Sequence, residues 1–455
     1  MVHPTVAEFN SLPRPQYTPT ASDAPNHWYF DLRYIPLEPD PTHILFLVQI
    51  ESAHVHIERL PITDDSNDGS PSGISYFPES GRAAAPELCK ALVHSFTHGC
   101  PASDKNTPGS AQHGYAPWRL TTRDQVTALA VGEEFKRFGV RAEVCTIQVA
   151  RDAVIAGAQR AFDNKLWRGL VAKAGLAHLA PKAPDSIGFS GFRPRPWPPT
   201  PPFASALHDN GSATLMEASK SIDYTRYLLA VRPIPKGSDA HSDLQRELGN
   251  VVKLLNGKTA ARAREEADAG DADSAIDYAL RLQSSIGVIP DRNLFRYYLV
   301  KVITSPTASG YNKARAHALL IEWCTMASVS PKIRDRYFYT AAYHAECAAQ
   351  LADPSAPFPA VLSFLSDVLV PQNSGINSSL MVQYSGLLAA FQKREEEIKS
   401  ENAHLERKRR KRANRYVCAA VECFVQADTG KMLSQCAGKC DLDKKPSYCS
   451  KECRA

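Results

Sequence analysis

Six of the eleven cysteines in the chain lie within its last 40 residues, and their spacing could do metal chemistry. They form three close pairs: Cys418-x4-Cys423, Cys436-x3-Cys440 and Cys449-x3-Cys453. A short turn between two cysteines brings both sulfurs to one side, so that each can reach about 2.3 Å from the same ion. Two such pairs complete a tetrahedron, and the pattern therefore predicts a zinc site.

Disulfide bonds are the structural alternative for these six cysteines. The opening Met1-Val2-His3-Pro4-Thr5 lacks the basic and apolar regions of a secretion signal, and a reducing compartment keeps thiols free. The tail is also short and has few apolar residues, so burial alone cannot fold it, and it needs a cross-link such as a bound metal ion or a disulfide. We therefore expect bound metal and not disulfides.

The third cysteine pair carries a family resemblance. Together with the order of the three pairs, the segment Tyr448-Cys449-Ser450-Lys451-Glu452-Cys453 resembles the MYND-type zinc finger, whose third pair typically reads Tyr-Cys-Ser-x-x-Cys. In that family the first and third pairs share one zinc ion, and the second and fourth pairs share another. The resemblance implies one complete zinc site, formed by Cys418, Cys423, Cys449 and Cys453. It also implies half of a second site, at Cys436 and Cys440.

The chain departs from the family pattern at two points. Its first two pairs have spacings of x4 and x3 where x2 is commoner, although both spacings still permit a chelating turn. The sequence also ends at Arg454-Ala455, where the family continues to a His-x3-Cys pair. We therefore expect one well-formed zinc site and a second that is absent, weak or completed by water.

A charged helical stem is predicted to carry the cysteine tail. The helix candidate runs from Ser378 to about Arg415, and after Phe391 it has too few apolar residues to bury a core. It contains six consecutive basic residues: Arg407, Lys408, Arg409, Arg410, Lys411 and Arg412. This run could act as a nuclear import signal or contact nucleic acid, and a plain solvated helix face is the competing interpretation.

The middle of the chain, residues 241–390, is helical in pattern nearly throughout. Small residues recur where helices would meet, in a register from Ala267-x-x-Gly270 through Gly287 to Ala314-x-Ala316. This register loosely resembles the helical-pair repeats of the tetratricopeptide class, in which each pair buries one face on its neighbour. An ordinary helical bundle is the alternative, and both interpretations predict an α-helical scaffold.

The first part of the chain mixes strand and helix signals. The apolar run Ile44 to Val48 predicts a buried strand, and the segment Thr121-Thr122-Arg123-Asp124 can cap a helix that Gly139 ends. A β-rich run, Val140–Val149, and a second helix, Ala153–Leu170, follow. This order favours an α/β or α+β domain.

A proline-rich stretch separates this domain from the helical region. It culminates in residues 192–202, where prolines exclude helix and sheet and favour polyproline II. A semi-rigid linker is one interpretation, and a docking peptide with P-x-x-P spacing is the other.

The net charge of +5 belongs to the tail of the chain. Residues 392–455 hold 16 Lys or Arg against 10 Asp or Glu, a net of +6, which leaves about −1 for the rest. This argues against a nucleic-acid surface over the whole protein.

The apolar runs are far shorter than the roughly 20 residues that span a bilayer. The other five cysteines are expected to be buried thiols: Cys89, Cys100, Cys145, Cys324 and Cys347.

Recognisable catalytic motifs are missing from the sequence. Some MYND proteins carry a SET methyltransferase domain, but no Asn-His-x-Cys occurs here, and Gly132-Glu133-Glu134 falls inside a predicted helix. Two fragments, His54-Val55-His56 and His344-x2-Cys347, could suggest further metal sites. Each offers only two ligands, so we expect ordinary strand and helix histidines.

These patterns predict a multidomain α+β protein. Its expected parts are an α/β or α+β domain (1–180), a Pro-rich linker (181–240), a helical, repeat-like scaffold (241–390), a basic stem (391–415) and an incomplete MYND-type finger (416–455). We expect a non-enzymatic, intracellular zinc-binding adaptor of the nucleus or cytoplasm, with transcriptional regulation as one possible setting.

The resemblance implies a protein partner for the finger, with a proline-containing peptide as the candidate ligand. A nucleic-acid-associated regulator that uses the basic stem is the alternative function. A SET-type lysine methyltransferase is a weaker third, and no membrane association is expected.

Overall fold

The computed structural model describes residues 4–18, 24–39, 41–52, 54–62, 72–99, 114–191, 197, 213–233, 240–325, 331–352, 358–369, 378–411, 413–423, 425, 433–437 and 445–454. The chain divides into two compact units, Met1–Leu387 and Leu388–Ala455. None of the described helices is both long and apolar enough to cross a lipid bilayer.

The first unit contains a five-stranded mixed sheet with the order β3-β2-β1-β4-β5. Its strands are β1 (His27–Ile35), β2 (Thr42–Gln49), β3 (His54–Leu60), β4 (Arg119–Thr122) and β5 (Gln148–Val149). The first three are antiparallel neighbours, whereas β4 and β5 add in parallel. Every residue of β2 is buried, which agrees with the strand predicted from its continuous apolar run.

Helices cover both faces of this sheet. The helices of this region are α1 (Pro4–Ser11), α2 (Ser72–Ser75), α3 (Gly81–His94), α4 (Gln125–Phe138), α5 (Asp152–Phe162) and α6 (Arg168–Lys173). Glu58 of β3 lies on the α3 face, where its Oε1 is 3.0 Å from Nδ1 of His94. Side chains alternate along a strand, so Ile57 lies on the opposite face. There α5 packs on β2 through an edge-to-face contact between Phe162 and Phe46.

The helix predicted after Asp124 is confirmed as α4. The Asp124 carboxylate accepts a hydrogen bond from the Thr127 N–H at 2.9 Å, and Gly139 ends the helix with a φ of 79°. In the β-rich run 140–149, only the last two residues, which form β5 (Gln148–Val149), are strand. The rest of the run contains a 3-10 turn (Ala142–Val144). The carbonyl oxygen of the next residue, Cys145, packs so closely against Gly132 of α4 that a Cβ at position 132 would clash with it.

The second predicted helix of this region is interrupted. A π-helical turn (Asp163–Trp167) separates α5 from α6, and within it Trp167 is buried with its indole N–H donating to the Pro181 carbonyl at 2.8 Å. The π-helical turn therefore coincides with a tertiary contact, which sequence periodicity alone does not reveal.

The second half of the first unit is helical. Its helices are α7 (Ala213–Ala230), α8 (Ala240–Gly257), α9 (Ala260–Asp268), α10 (Ala272–Ser284), α11 (Arg292–Thr304), α12 (Gly310–Thr325), α13 (Pro331–Leu351) and α14 (Pro359–Ser363). Successive helices from α9 to α13 pack against one another. Ala267, Ala275 and Ala314 are buried as the small-residue register predicts, and Gly270 and Gly287 take positive φ in the turns.

Glu79, which follows α2, joins the sheet region to the helices. Its carboxylate lies 3.2 Å from Nε of Arg292 on α11 and accepts a 2.6 Å hydrogen bond from the Tyr337 hydroxyl on α13. Arg336, also on α13, donates to the Pro78 carbonyl at 2.9 Å. These contacts place the sheet and the helical array in one compact unit.

In its described residues, the second unit has short strands and turns besides its long helix. Helix α15 (Ser385–Lys411) begins in the first unit and continues here, followed by α16 (Ala413–Tyr416), β6 (Ser434–Gln435), β7 (Ser447–Tyr448) and a 3-10 turn (Glu452–Arg454). The predicted helical stem is thus present. Among the described side chains of this unit, only Tyr416, Cys418 and Ser447 are buried.

Candidate metal centre

Short backbone pairings bring distant cysteines of the second unit together. Strands β6 and β7 pair antiparallel, with Ser434 opposite Tyr448 and Gln435 opposite Ser447. Next to them, the N–H of Ala419 donates to the Ser447 carbonyl at 2.9 Å. Because Ala419 follows Cys418 and Ser447 lies two residues before Cys449, this bond holds the first cysteine pair beside the third.

Four sulfurs gather at this junction. The Sγ atoms of Cys418, Cys423, Cys449 and Cys453 all lie within 4.8 Å of one another. The Sγ of Cys449 is 3.6 Å from that of Cys423 and 3.5 Å from that of Cys453. Sulfurs placed about 2.3 Å from one tetrahedral ion would be roughly 3.8 Å apart. The cluster therefore fits a single metal ion with four thiolate ligands, such as zinc.

The electrostatics of the cluster also suit a cation. The backbone N–H of Ala420, followed by other donors in the cluster, lowers the pKa of Cys418 to about 7. Hydrogen bonds with Cys453 and Cys423 raise the pKa of Cys449 to about 12, and the pKa of Cys453 is raised as well. Four neighbouring thiols cannot all ionise by themselves. A bound dication supplies the positive charge that lets all four act as thiolates.

The structure thus brings together the four cysteines that the family resemblance assigned to the first site. Cys436 is not a member of this four-sulfur group; its N–H donates to the Pro446 carbonyl at 2.9 Å. Cys440, the other half of the expected second site, lies outside the described residues. The second site therefore stays a prediction.

The basic run lies on the last turns of α15. Arg407 and Arg410 are exposed there, and Lys408, Arg409 and Lys411 continue the same helix. Arg412 lies outside the described residues. The helix therefore presents at least two guanidinium groups to solvent.

The histidine fragments have hydrogen-bond partners of their own. Nε2 of His56 lies 2.8 Å from Glu58 Oε1, and Nδ1 of His344 lies 2.9 Å from Nδ1 of His317. In the part of the chain that the structure describes, the four cysteines form the one group of three or more side chains able to hold a metal ion. That neither fragment binds a metal ion stays a prediction.

The described cysteines of the first unit are buried or half-buried thiols. Cys89, Cys145 and Cys324 are buried and Cys347 is half-buried, while Cys100 lies outside the described residues. Burial raises the pKa of Cys324 and that of Cys347 to about 12 and also raises the pKa of Cys89. These thiols stay protonated near neutral pH and are poor nucleophiles.

Sequence reasoning did not anticipate how exposed the apolar side chains of the second unit are. Val421 is 92% exposed, and Val417 and Val425 are 40% and 46% exposed. Val421 lies in the loop between Cys418 and Cys423, where Glu422 has a positive φ of 66°. The low apolar content of the tail was the available signal, since a segment without a core has nowhere to bury its valines.

Comparison of the chain with protein-family models, with curated proteins and with solved structures finds no match. The resemblances to the MYND finger and to tetratricopeptide repeats therefore rest on the residues named above.

Proposed function

We propose that the protein is a zinc-binding interaction protein whose C-terminal unit is a MYND-like finger that recruits a protein partner. The observation that carries this proposal is the cluster of four cysteine sulfurs, all within 4.8 Å of one another. Four soft thiolate ligands in a tetrahedral arrangement select zinc or iron–sulfur chemistry, and a compact set of four around one ion favours zinc. The proposal assigns no catalytic role to the chain.

The metal would act by fixing loops that have no core. Only three described side chains of the second unit are buried, so its loops need an ion to hold one conformation. The loop between Cys418 and Cys423 then presents Val421, and the following loop presents Val425. Exposed apolar side chains on a rigid loop suit a shallow groove for a peptide, and the MYND resemblance favours a proline-containing one.

The compartment follows from the same chemistry. Free thiols and a thiolate metal site persist in a reducing environment, which favours the nucleus or cytoplasm. We propose that the partner acts in transcriptional regulation. The reason is that the chain combines the finger with a basic stem that could direct nuclear import.

Two measurements test the proposal. Native mass spectrometry of the full chain should find one zinc ion, which Cys453→Ser removes and Cys347→Ser leaves in place. Proline-containing peptides should then bind the full chain in the presence of zinc and lose binding with a chelator. Equal binding with and without the metal would overturn the recruiting role, and absence of zinc would overturn the whole proposal.

A matched pair of surface variants separates recognition from folding. Val421→Asp places a charge on the proposed contact loop, whereas Val126→Asp makes the same change at a 40% exposed position on α4. We expect peptide binding to fall only in the first variant, with the zinc content unchanged in both.

A second candidate function is nucleic-acid association through the basic stem. The exposure of Arg407 and Arg410 and the net charge of +6 over residues 392–455 support it. Binding of this kind weakens steeply as salt rises, because counterions are released from the phosphates. Replacing the six basic residues by Gln should remove such binding, and weak salt dependence would exclude it.

A further inference from the structure

A cavity of about 640 Å³ lies in the first unit, on the face of the sheet that α5 and α6 cover. Its floor is formed by Ile44 of β2 and Ile57 of β3, and its opposite wall by Leu166 and Leu170. Ile57 is 38% exposed although it is a large apolar residue. Concave apolar sites of about 300–1,000 Å³ are typical of small-molecule binding.

The walls of this cavity are held in place from outside. The loop between β1 and β2 closes one end with Glu38, and Gln383 fixes that loop through both of its amide atoms. Nε2 of Gln383 donates to the Pro36 carbonyl at 2.8 Å, and its Oε1 accepts from the Glu38 N–H at 3.0 Å. Trp167, anchored to the Pro181 carbonyl, fixes the helical wall. The cavity is therefore preformed, which lowers the entropic cost of binding.

Among the described residues that line the cavity, two are cationic and one is acidic. Arg59 of β3 and Lys173 of α6 are both exposed and bring two cations to the opening. The acidic lining residue is Glu38. Burial, and then the nearby Glu346, raises the pKa of Glu38 to about 7, so its negative charge is incomplete at neutral pH. An apolar floor below a cationic opening is complementary to an amphipathic anion.

We propose that this cavity binds a small amphipathic monocarboxylate, such as a medium-chain fatty acid anion. The apolar chain would lie over Ile44, Ile57 and Leu170, and the carboxylate would meet Arg59 and Lys173. The cavity belongs to the first unit and the cysteine cluster to the second, and the proposal does not depend on the zinc-binding function.

Calorimetric titration of the full chain with dodecanoate, below its micelle concentration, tests the proposal. We expect one molecule to bind per chain. Decanoate should bind roughly fifteenfold more weakly, because each buried methylene contributes about fourfold. Dodecanol, which keeps the chain but lacks the charge, should also bind about tenfold more weakly or worse.

Two pairs of variants locate the site. Ile57→Glu puts a negative charge on the floor and should abolish binding, whereas Leu129→Glu makes the same kind of change at a 59% exposed position on α4 and should not. Lys173→Gln should weaken dodecanoate binding about tenfold and leave dodecanol unchanged, and Lys165→Gln is its exposed control outside the cavity.

Three results would overturn the proposal: no dodecanoate binding to the wild-type chain, equal binding by a folded Ile57→Glu variant, or binding of an acidic peptide alone. Circular dichroism establishes whether each variant is folded. Should Ile57→Glu not fold, the exposed Lys173→Gln substitution and the chain-length series decide the question, since a site elsewhere would leave dodecanoate binding by Lys173→Gln unchanged.

Discussion

The two units of this chain solve the problem of stability in different ways. In the first, large apolar side chains such as Leu45, Phe46 and Phe162 are fully buried between the sheet and its helices. In the second, the buried side chains among the described residues are Tyr416, Cys418 and Ser447, and Val421 is 92% exposed. Burial can account for the folding of the first unit but not for that of the second.

This difference teaches where each unit is vulnerable. The first unit depends on packing and on buried polar contacts, so it should respond to core substitutions and to the protonation of buried groups. With the proposed zinc site, the second unit depends on four thiolates, so it should respond to chelators and to the loss of one ligand. Experiments that damage one unit and leave the other intact test the comparison directly.

The largest expected effect is the loss of one metal ligand. Cys449→Ser should release the ion and remove amide protection across residues 416–454, because structural zinc contributes on the order of 10 kcal/mol or more to small fingers. Hydrogen exchange measured by mass spectrometry should show no change over β1 to β4. The control is Cys436→Ser, which leaves the four-sulfur group complete. Retained protection in Cys449→Ser would show that the second unit folds without metal.

A core substitution in the first unit should have the reverse pattern. The Phe46 ring is fully buried and meets the Phe162 ring edge-on, with 5.3 Å between centroids. Phe46→Ala should lower the free energy of unfolding by about 3–5 kcal/mol through the cavity that it leaves. Urea unfolding followed by tryptophan fluorescence measures this, and the zinc content should stay unchanged. Loss of zinc in this variant would mean that the units are coupled.

Local patterns in the sequence predicted the elements that local chemistry determines. The apolar run Ile44 to Val48 lies in the buried β2, and the predicted cap segment 121–124 and Gly139 do bound α4. Helix α1 was not predicted, because contacts distant in sequence hold it. Asn10 donates to the Gly139 carbonyl at 2.8 Å and accepts from the Arg141 N–H at 2.9 Å. Such partners cannot be inferred from eight residues with weak periodicity.

The same distinction holds for the two candidate sites. Cysteine spacing predicted a metal site, but only the family resemblance indicated that the pair beginning at Cys418 joins the pair beginning at Cys449. The apolar cavity was not predicted, because its lining comes from strands and helices more than 100 residues apart, such as Ile57 and Leu170. Tertiary packing creates that surface, and no short motif records it.

Acid should destabilise the two units in different ways, by protonating buried histidines in the first and metal-binding thiolates in the second. His317 and His344 are buried together between α12 and α13. Burial is the main cause that lowers the pKa of His317 to about 3, and the nearby Lys313 adds to it. Burial also lowers the pKa of His344. The unfolded chain therefore binds more protons below pH 6.5, so stability falls as the pH drops. For His317 alone the loss is about 2 kcal/mol at pH 5.

The measurement is the free energy of unfolding of the first unit between pH 8 and pH 5. His317→Gln should make this dependence shallower, while zinc release from the second unit, driven by thiolate protonation, should follow the same pH curve as in the wild-type chain. An unchanged slope for the first unit would show that His317 is not held neutral.

The smallest expected effect tests the hydrogen bond that caps α4. The Asp124 carboxylate accepts from the Thr127 N–H at 2.9 Å and from the Ser190 N–H at 3.0 Å. Partial burial raises its pKa, but hydrogen bonds from the Ser190 hydroxyl and from Thr127 outweigh this and lower the pKa below its usual value. Asp124→Ala should lower the free energy of unfolding of the first unit by about 1–2 kcal/mol. Asp124→Asn keeps an acceptor and should cost less. Because the cap is remote in sequence from every cysteine ligand, the zinc content should not change, and a change would contradict the independence of the two units.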